Sequence, residues 1–498
     1  MFRAAMLGVF VAGCFGGTAL AADVPGAEIY QQHCAECHGA DRLGAIGPAL
    51  LPENLKRLRR KKASGVIAYG RPASQMPAFA ETLSMAKIDS LVDLIYTPLP
   101  EVPTWGMTEI SASHVEHVSP QNLPDKPQFD ADPLNLFTVV EIGDHHATIL
   151  DGDRFEPLAR FATRFAVHGG AKYSPDGRYM YLASRDGWVS KYDLWSLQVV
   201  SEIRAGINTR NVAVSSDGKY LMVGNTLPHS MVALSAQTLK PIKVIPVRGK
   251  QGNSSRVSAV YNAPPRNSFV AALRDIPEIW EVRYKAGAKD LFPVRQIVLD
   301  DYLDDFFFDL DYRNVIGAAR NAKNGQVVDL DAGRKIADID LAGMPHLGSG
   351  ITWEYQGKPV LATPHLKGGQ VSVINMLDWS TVRIVPTKGP GFFMRSHENT
   401  PYAWVDVFFG PNKDLIHVID KRTLEIVKTL RPSPGKTAAH VEFDRDGSHA
   451  LVSIWDDDGA LVVYDAATLE EIKRLPMKKP SGKYNVWNKI NYAAGTSH

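Results

Sequence analysis

The stretch YMYLASRDGWVSKYD, at residues 179–193, decides how most of this 498-residue chain folds. Side chains follow a period of two on both sides of Arg185-Asp186-Gly187, which is typical of two antiparallel strands joined by a tight turn. The turn Ser174-Pro175-Asp176-Gly177 precedes this stretch. Turns of similar form at 215–218 and 444–447 also precede apolar strands. The sequence therefore predicts a β-hairpin unit that is repeated along the chain.

A short polar turn closes each repeat and allows the repeats to be counted. The marker residues are Asp151, Asp193, Ser235, Glu281, Asp331, Met376, Asp420 and Asp465, which lie 42, 42, 46, 50, 45, 44 and 45 positions apart. Eight units of about 45 residues, each long enough for four strands, predict an eight-bladed β-propeller. Glu281 and Met376 are the weakest markers, so seven blades are the alternative. We expect the segments 136–140 or 484–487 to close the ring.

A different motif occurs near the beginning of the chain. Cys34-Ala35-Glu36-Cys37-His38 is a C-x-x-C-H sequence, which is typical of a covalently attached c-type haem. Cys34 and Cys37 would form the thioethers, and His38 would bind the iron. A thioredoxin-like dithiol or half of a zinc site are the alternatives. They fit less well, because the chain has neither a second cysteine pair nor a βαβ pattern before the motif.

The segment Ser74-Gln75-Met76-Pro77-Ala78-Phe79 resembles the methionine loop of small c-type cytochromes. We therefore expect Met76 to be the sixth ligand of the c-haem iron, which gives a higher reduction potential than two histidines do. A Met packed only in the core and bis-His ligation through His33 are the alternatives.

The periodicity also divides the chain. Residues 1–21 have a short apolar run followed by Ala19-Leu20-Ala21, which predicts a secretory signal peptide. We expect a small all-α cytochrome domain at 22–98, ending in an amphipathic helix at 85–96, then a linker laid over the surface at 99–133. The propeller should occupy 134–498.

A signal peptide and a covalent haem together predict a bacterial periplasmic protein. Val11-Ala12-Gly13-Cys14 resembles a lipoprotein box, but its apolar run is short, so lipid anchoring of Cys14 is the less favoured alternative. No segment has the ~20 continuous apolar residues of a transmembrane helix. The net charge of +1 gives no indication of nucleic-acid binding. The basic run at 56–62 is either a solvated helix face or a docking patch for an acidic redox partner.

Several segments of the predicted propeller resemble the haem d1 domain of cytochrome cd1 nitrite reductases. These segments are 165–168, 174–179, 193–195, 345–350, 362–365, 395–397 and 482–486, and the similarity covers most of residues 137–490. The order of cytochrome and propeller matches as well. The resemblance implies that His168 ligates the d1 iron and that His346 lies over the distal face of the macrocycle.

Two positions depart from the nitrite reductase pattern. Those enzymes resemble one another in having two distal histidines that protonate nitrite, and one of them is replaced here by Asp304. His440 stands where the reductases tend to have Gln. This pattern is similar to the dihydro-haem d1 dehydrogenases of the same family, which are thought to complete haem d1 biosynthesis. The resemblance therefore implies a periplasmic oxidoreductase that converts a propionate of the d1 precursor to an acrylate.

That reaction removes two electrons and two protons from a CH2–CH2 unit. His346 or His440 would take a proton, since the pKa of an imidazole lies near neutrality. Tyr484 would hydrogen-bond the propionate or relay a proton. Guanidinium groups bind carboxylates in a fork, so Arg185, Arg210 and Arg256 are candidate clamps for the acidic side chains of the macrocycle. Electrons would pass through the d1 iron to the c-haem.

Two other functions stay open from the sequence. One is nitrite reduction to nitric oxide with His346 as the remaining distal histidine, and the other is carriage or insertion of haem d1. The expected cofactors are one covalent haem c, with haem d1 and dihydro-haem d1 as product and substrate. Besides the tetrapyrrole, we expect a periplasmic electron acceptor as a partner. Nitrite reductase and other d1-assembly proteins would be the recipients of the product.

Overall fold

The structure is a computed structural model that describes residues 26–45, 47–56, 58–71, 76–167, 170–284, 291–319, 322–341 and 343–491. The predicted signal peptide and His168 lie outside the described residues. Two compact units are present, Met1–Pro100 and Glu101–His498. Among the described residues, no helix is long and apolar enough to cross a membrane.

The first unit is helical, as the sequence predicts. Its described helices are α1 (Ala27–His33), α2 (Ala35–His38), α3 (Pro52–Leu55), α4 (Arg60–Tyr69) and α5 (Met85–Ile95). Helix α5 begins where the Ser84 side chain accepts a hydrogen bond from the Lys87 N–H, which satisfies one of the unpaired donors of its first turn. Its apolar face packs with α1 and α4 around the buried residues Tyr30, Ile67 and Leu91.

The second unit is a propeller whose described residues form eight sheets. This confirms eight blades and excludes the seven-bladed alternative. We number the blades I–VIII in the chain order of their second strands, and blade II carries the additional edge strand β1 (Val115–Glu116).

The strands of the first four blades are as follows. Blade I contains β33 (Pro480–Asn485), β2 (Leu136–Glu141), β3 (His146–Asp151) and β4 (Pro157–Ala162); blade II contains β5 (Lys172–Tyr173), β6 (Tyr179–Ala183), β7 (Trp188–Asp193) and β8 (Gln198–Arg204); blade III contains β9 (Asn208–Val214), β10 (Tyr220–Leu227), β11 (Ser230–Ser235) and β12 (Pro241–Pro246); blade IV contains β13 (Val257–Ala263), β14 (Ser268–Leu273), β15 (Glu278–Arg283) and β16 (Val294–Val298).

The other four blades have the same order. Blade V contains β17 (Asp305–Phe308), β18 (Asn314–Ala318), β19 (Gly325–Asp329) and β20 (Arg334–Ile339); blade VI contains β21 (Ile351–Tyr355), β22 (Lys358–Pro364), β23 (Gln370–Asn375) and β24 (Thr381–Pro386); blade VII contains β25 (Met394–Ser396), β26 (Tyr402–Asp406), β27 (Ile416–Asp420) and β28 (Glu425–Leu430); blade VIII contains β29 (Ala438–Phe443), β30 (His449–Ile454), β31 (Gly459–Asp465) and β32 (Glu471–Met477).

The first strand of each sheet lies toward the channel and the fourth lies outside. The fourth strands β24 and β28 are largely exposed, whereas the second and third strands are almost completely buried. Strands β9 and β13 contact each other across neighbouring blades, as do β25 and β29. Each four-stranded blade returns the chain to the same face, so all the innermost strands begin on one face of the ring. We call it the entry face.

Blade I closes the ring with strands from distant parts of the propeller sequence. Strand β33 pairs antiparallel with β2, and Tyr484 lies opposite Thr138. The hydroxyl of Tyr173, from blade II, donates to the Tyr484 carbonyl at 3.0 Å and lies 2.9 Å from the Thr138 hydroxyl. Both segments that we expected to supply the closure therefore supply it, by pairing with each other.

The segment predicted as the linker at 99–133 has more regular structure than its composition suggests. It forms helix α6 (Met107–Ala112) and the edge strand β1, which pairs with β8 at the outer side of blade II. Ile110 is buried in the apolar core between blades II and III, and the Trp105 indole donates to the Arg204 carbonyl at 2.9 Å. Most of this segment is therefore attached to the propeller. The last helix, α7 (Val486–Ile490), follows β33 directly.

Candidate active site

The C-x-x-C-H motif lies at the junction of α1 and α2 in the first unit. Cys34 is half-buried against the apolar core, and Cys37 is exposed. His38 places its Nδ1 2.8 Å from the Pro48 carbonyl oxygen. A carbonyl can only accept, so Nδ1 carries the proton and Nε2 is left as the coordinating nitrogen, which is the usual arrangement of a ligating imidazole. Burial lowers the pKa of His38, which also favours the neutral ligand. These residues fit a c-type haem.

Met76 lies in the same part of the first unit. It packs on the apolar cluster that includes Cys34 and Phe79. Its backbone is fixed by Arg71, whose N–H donates to the Met76 carbonyl at 2.9 Å. His33, the alternative ligand, packs edge-on to Phe79 at 6.0 Å. The structure thus brings Met76 and the C-x-x-C-H motif to one core, as a His/Met pair requires.

The propeller residues predicted for the reaction lie on innermost strands or on a turn that leads into one. His346 immediately precedes the short 3-10 turn Leu347–Ser349 that leads into β21. Its Nδ1 lies 2.8 Å from the Ser349 hydroxyl, and that hydroxyl donates to the Phe392 carbonyl at 2.8 Å. With the hydroxyl proton used in this way, Nδ1–H is the donor to Ser349 and Nε2 keeps its lone pair. Burial lowers the pKa of His346, although nearby Asp305 opposes the shift. The imidazole is therefore a neutral base.

His440 lies on the innermost strand β29 and is only 6% exposed. Its ring packs against Phe393 at 4.6 Å and edge-on against Tyr484 at 5.3 Å. Among the described residues, Nδ1 is buried without a hydrogen-bond partner. Burial, and then the charge of Lys483, holds the pKa of His440 well below its usual value. A neutral ring with an unpaired nitrogen is suited to accept a proton or a hydrogen bond from a bound molecule.

Tyr484 occupies a narrow slot on β33. A Cβ at Gly170 would lie 2.8 Å from its ring, and a Cβ at Gly482 would collide with its hydroxyl. Two glycines therefore leave room for the phenol beside His440. Burial raises the pKa of Tyr484 to about 12, so the group is a protonated donor at neutral pH.

The three predicted catalytic residues belong to one aromatic wall. Phe393 is 5.7 Å from His346 and 4.6 Å from His440, measured between ring centroids, so it lies between the two imidazoles. Phe392 packs against His346 in a tilted arrangement, with the ring centroids 4.1 Å apart. The wall continues through Phe392–Phe408 and Phe408–Trp455 contacts. Flat apolar side chains beside polar groups are a suitable lining for a macrocycle.

The remaining blades contribute charged and phenolic groups to the channel. Arg210 on β9 donates to the Ser258 carbonyl, and the Tyr261 hydroxyl on β13 donates to Asp305 on β17 at 2.8 Å. Lys172 on β5 has its pKa lowered to about 8, mainly by burial and then by Arg395. In blades VII and VIII, Arg395 pairs with Glu442 at 2.9 Å, with both side chains almost completely buried. Each innermost strand, or the turn that precedes it, thus supplies a polar group.

The predicted arginine clamps have different surroundings. Arg210 is the one with electrostatic influence on His346 and Tyr261. Arg185 lies in the turn between β6 and β7, which opens on the entry face. Arg256 precedes β13 and is bound to Asp275, with its Nε 2.9 Å from a carboxylate oxygen, so its charge is already balanced. The clamp role stays a prediction for all three.

Sequence reasoning missed several buried or half-buried ionisable groups of this region, namely Lys172, Tyr261, Asp305, Arg395, Asp406, Lys483 and Lys489. Five of them belong to innermost strands, where an ionisable side chain among apolar residues is the available signal, whereas Asp406 lies on β26 and Lys489 on α7. At Asp304, which departs from the nitrite reductase pattern, Arg274 lies 3.4 Å from the carboxylate.

A helical cytochrome unit followed by an eight-bladed propeller, with imidazoles and an aromatic wall at the channel mouth, defines a protein that combines a c-type haem with a second macrocycle. The chain belongs to the cytochrome D1 heme domain family, whose model matches residues 131–489. The model described as cytochrome C oxidase, cbb3-type, subunit III, matches residues 21–95. The protein therefore joins a cytochrome c domain to a haem d1 domain.

Individual relatives agree with this family. The chain is 57% identical over 493 residues to dihydro-heme d1 dehydrogenase of Pseudomonas aeruginosa, covering 99% of this chain and 100% of the relative. It is 27% identical over 533 residues to a nitrite reductase of Stutzerimonas stutzeri, covering 93% and 92% of the two chains. A solved structure of dihydro-heme d1 dehydrogenase NirN in complex with DHE has a TM-score of 0.91 and 57% identity, covering 94% of this chain and all of that one.

Proposed function

We propose that this protein is a dihydro-haem d1 dehydrogenase that oxidises a propionate of the d1 precursor to an acrylate. The observation that supports this most directly is that His346, His440 and Tyr484 lie on one wall, joined through Phe393. The 57% identity over nearly the whole chain to a relative of that name supports the same function. The reaction turns CH2–CH2 into CH=CH and releases two protons and two electrons.

The wall contains groups suited to both protons. His346 presents a neutral Nε2, because its Nδ1 is bound to Ser349. His440 is neutral as well and lies beside the Tyr484 phenol. In this proposal one imidazole removes the first proton from the CH2–CH2 unit, the other imidazole takes the second proton, and the Tyr484 hydroxyl orients the side chain by hydrogen bonding. His168 is proposed as the ligand of the macrocycle iron on the resemblance alone.

A c-haem bound to the first unit would supply a one-electron acceptor, and an external acceptor would have to take up the two electrons of the reaction one at a time. The proposed ligands of this haem are His38 and Met76, with Cys34 and Cys37 as the covalent attachment. The protein itself limits the access of water to the site, so that the imidazoles stay neutral. The aromatic wall does this by excluding water around His346 and His440.

The experiment is a conversion assay with separate measurement of binding. Protein is titrated with dihydro-haem d1 by absorbance, and the extracted pigment is analysed by mass spectrometry for loss of two hydrogen atoms. We expect His346→Ala or His440→Ala to bind nearly normally and to convert about 10²–10⁴ times more slowly. Tyr484→Phe should give a smaller loss. If the wild-type protein returns the pigment unchanged, it is a carrier and not a dehydrogenase.

We further propose that the protein works in the periplasm and passes electrons to a partner with an acidic surface. The described part of the basic run lies at the beginning of α4, where Arg59, Arg60, Lys61 and Lys62 are exposed. Positive charge at a helix N-terminus opposes the helix dipole, so its accumulation there favours a role in docking. Rates of electron transfer to an acidic acceptor should then fall as salt concentration rises. Nitrite reductase and other d1-assembly proteins are the proposed recipients of the product.

A further inference from the structure

His440 owes its position to an irregularity in the innermost strand of blade VIII. The register between β29 and β30 shifts between Ala439 and Glu442, so one extra residue is inserted on the β29 side. His440 lies in this bulge with φ +53°, a left-handed conformation that is uncommon for residues other than glycine. Bulges of this kind redirect a side chain from the regular alternation of a strand. The imidazole is therefore aimed by local backbone geometry.

Two buried ionisable side chains hold that backbone from opposite sides. The His440 N–H donates to Asp406 Oδ2 at 3.2 Å. Lys483 Nζ donates to the His440 carbonyl oxygen and to the Ser453 hydroxyl, the latter at 2.9 Å. Asp406 belongs to β26 in blade VII, and Lys483 belongs to β33 in blade I. The bulge in blade VIII is thus bound by both neighbouring blades.

Both side chains are themselves fixed. The other Asp406 oxygen accepts the N–H groups of Phe392 at 2.7 Å and Phe393 at 3.0 Å. Asp406 therefore links the His440 backbone to the two aromatic residues that line His346. Lys483 is 0% exposed and precedes Tyr484, so the strand that presents the phenol also holds the histidine. Burial raises the pKa of Asp406 to about 7 and lowers that of Lys483 to about 7. Buried ionisable groups are costly unless hydrogen-bonded, so their presence here has to be explained by what they hold.

We propose that Asp406 and Lys483 are positioning residues that hold His440 in the left-handed bulge, and so aim its imidazole at the tetrapyrrole. This inference rests on the proposed dehydrogenase function. Neither residue is proposed to touch the reacting atoms. Both act through the His440 backbone, one on its N–H and the other on its carbonyl.

Lys483 also affects the protonation of His440. The charged or titratable groups around this ring are Lys483, Tyr484, Arg395, Lys489, Asp406 and Glu442, and the first influence after burial is that of Lys483. Removing the ammonium group should raise the pKa of His440 toward its ordinary value. A base with a raised pKa is protonated at a higher pH, so the acid limb of the conversion rate should move to higher pH.

The principal test compares Lys483→Met with the wild-type holoprotein. We expect tetrapyrrole binding to be retained, conversion to slow about 10²-fold, as for a misplaced reacting group, and the acid limb to move to higher pH. In a His440→Ala background the same change should have almost no further effect, because the two residues act as a unit. An equal slowing in both backgrounds, or an unmoved acid limb, would overturn the proposal.

A matched control is Lys191→Met. Lys191 is also a buried lysine that donates to a backbone carbonyl of another blade, that of Gln237 at 2.6 Å, but it lies on the third strand of blade II. Its replacement should leave the rate and pH profile of conversion unchanged. If Lys191→Met reproduces the Lys483→Met profile, the effect is one of general stability and the proposal is wrong.

The Asp406→Asn variant keeps the shape of the side chain and decides the question if Lys483→Met does not fold. It exchanges one acceptor oxygen for a donor, so one of the backbone bonds is lost. We expect at least 10-fold slower conversion with normal c-haem spectra and normal tetrapyrrole binding, and wild-type conversion would count against the clamp. Failure of the proposed function looks different, because the wild-type protein itself would then leave dihydro-haem d1 unconverted.

Discussion

One or two contacts determine the tautomer or the orientation of each histidine at the two sites. The Pro48 carbonyl fixes the tautomer of His38 and leaves Nε2 for a metal. Ser349 does the same for His346 and leaves Nε2 with a free lone pair. His440 has its backbone held and its Nδ1 unpaired. A neighbouring oxygen or an unusual backbone conformation thus determines the role of an imidazole more than the residue type does.

The sixth ligand of the c-haem gives a prediction at this scale. Met76→Ala removes the thioether, so the methionine-to-iron charge-transfer band in the far red should disappear and the reduction potential should fall. Met85→Ala is the matched control, since Met85 is 55% exposed at the beginning of α5. Absorbance spectra of the oxidised protein decide the matter, and a spectrum unchanged by Met76→Ala would point to another ligand.

A buried histidine outside the site gives a second prediction. His417 on β27 donates from Nδ1 to the Thr429 hydroxyl and accepts the Lys388 N–H at Nε2, so it is neutral. Burial, and then Lys388, lowers its pKa to about 4. The unfolded chain binds a proton near pH 6.5 and the folded chain only near pH 4, so stability is lost as the pH falls through this range. The loss should be on the order of 3 kcal/mol.

His417→Gln should remove that part of the pH dependence, although it also lowers stability at neutral pH. Denaturant unfolding at pH 7 and pH 4, followed by tryptophan fluorescence, measures the free energy of unfolding at the two pH values. His449 is a control of opposite sign, because the adjacent Asp444 raises the pKa of His449. The contribution of His449 to the stability of the folded protein is therefore lost as the pH rises. Equal pH dependence in the wild-type protein and His417→Gln would show that this imidazole is not responsible.

Among the elements, the turns between the third and fourth strands explain why the blades could be counted from the sequence. The sequence predicts these turns at the end of each repeat, whereas in the structure a fourth strand follows them. The markers Asp151, Asp193, Ser235, Asp420 and Asp465 are the last residues of β3, β7, β11, β27 and β31. In blades IV, V and VI the markers Glu281, Asp331 and Met376 miss the strand end by one or two residues. The spacing of the turns therefore predicts the number of blades, but it does not predict every strand boundary.

Other elements could not be predicted because their stability comes from distant contacts. Helix α6 and strand β1 have no marked periodicity, and they form because blade II offers a free edge and a cleft for Ile110. The bulge at His440 depends on Asp406 and Lys483, which are distant in sequence. The motif at Cys34–His38 was readable because its ligands are adjacent, whereas the grouping of His346, His440 and Tyr484 came from family resemblance.

The closing strand leads to a prediction for an element. Truncation after Lys479 removes β33 and α7, so β2 loses its partner and the Tyr173 hydroxyl loses the Tyr484 carbonyl. We expect the propeller to lose its cooperative unfolding transition, whereas the c-haem spectrum of the first unit should persist. Calorimetry together with absorbance tests this. A truncated chain that unfolds like the full chain would mean that closure contributes little to stability.

At the scale of the whole molecule, all eight blades contribute residues to the site. The charged residues of the site favour dehydrogenation over the related nitrite reduction. Asp304 lies where a second distal histidine is found in the nitrite reductases that the sequence resembles, and here it pairs with Arg274. An ionised carboxylate has no proton to give. The dehydrogenation removes protons from the substrate. Asp304 in place of a distal histidine therefore suits a site that accepts protons better than a site that supplies them.

We therefore expect poor or absent nitrite reduction even when the propeller is loaded with haem d1. Asp304→His should raise nitrite turnover slightly and leave conversion of dihydro-haem d1 less affected. Nitric oxide production with a chemical electron donor is the measurement. Rapid nitrite reduction by the unmodified protein would contradict the proposed function and favour the nitrite reductase alternative.

The pairing of β33 with β2 also determines whether haem attachment or closure of the propeller comes first. The strand that carries Lys483 and Tyr484 is synthesised after all the other described strands, and it joins a blade whose other strands were made first. The cytochrome motif at Cys34–His38 is synthesised long before the ring can close. A chain can therefore receive its covalent haem while the propeller is still open. Its tetrapyrrole pocket becomes complete only once β33 has paired with β2, which separates loading of the two pigments in time.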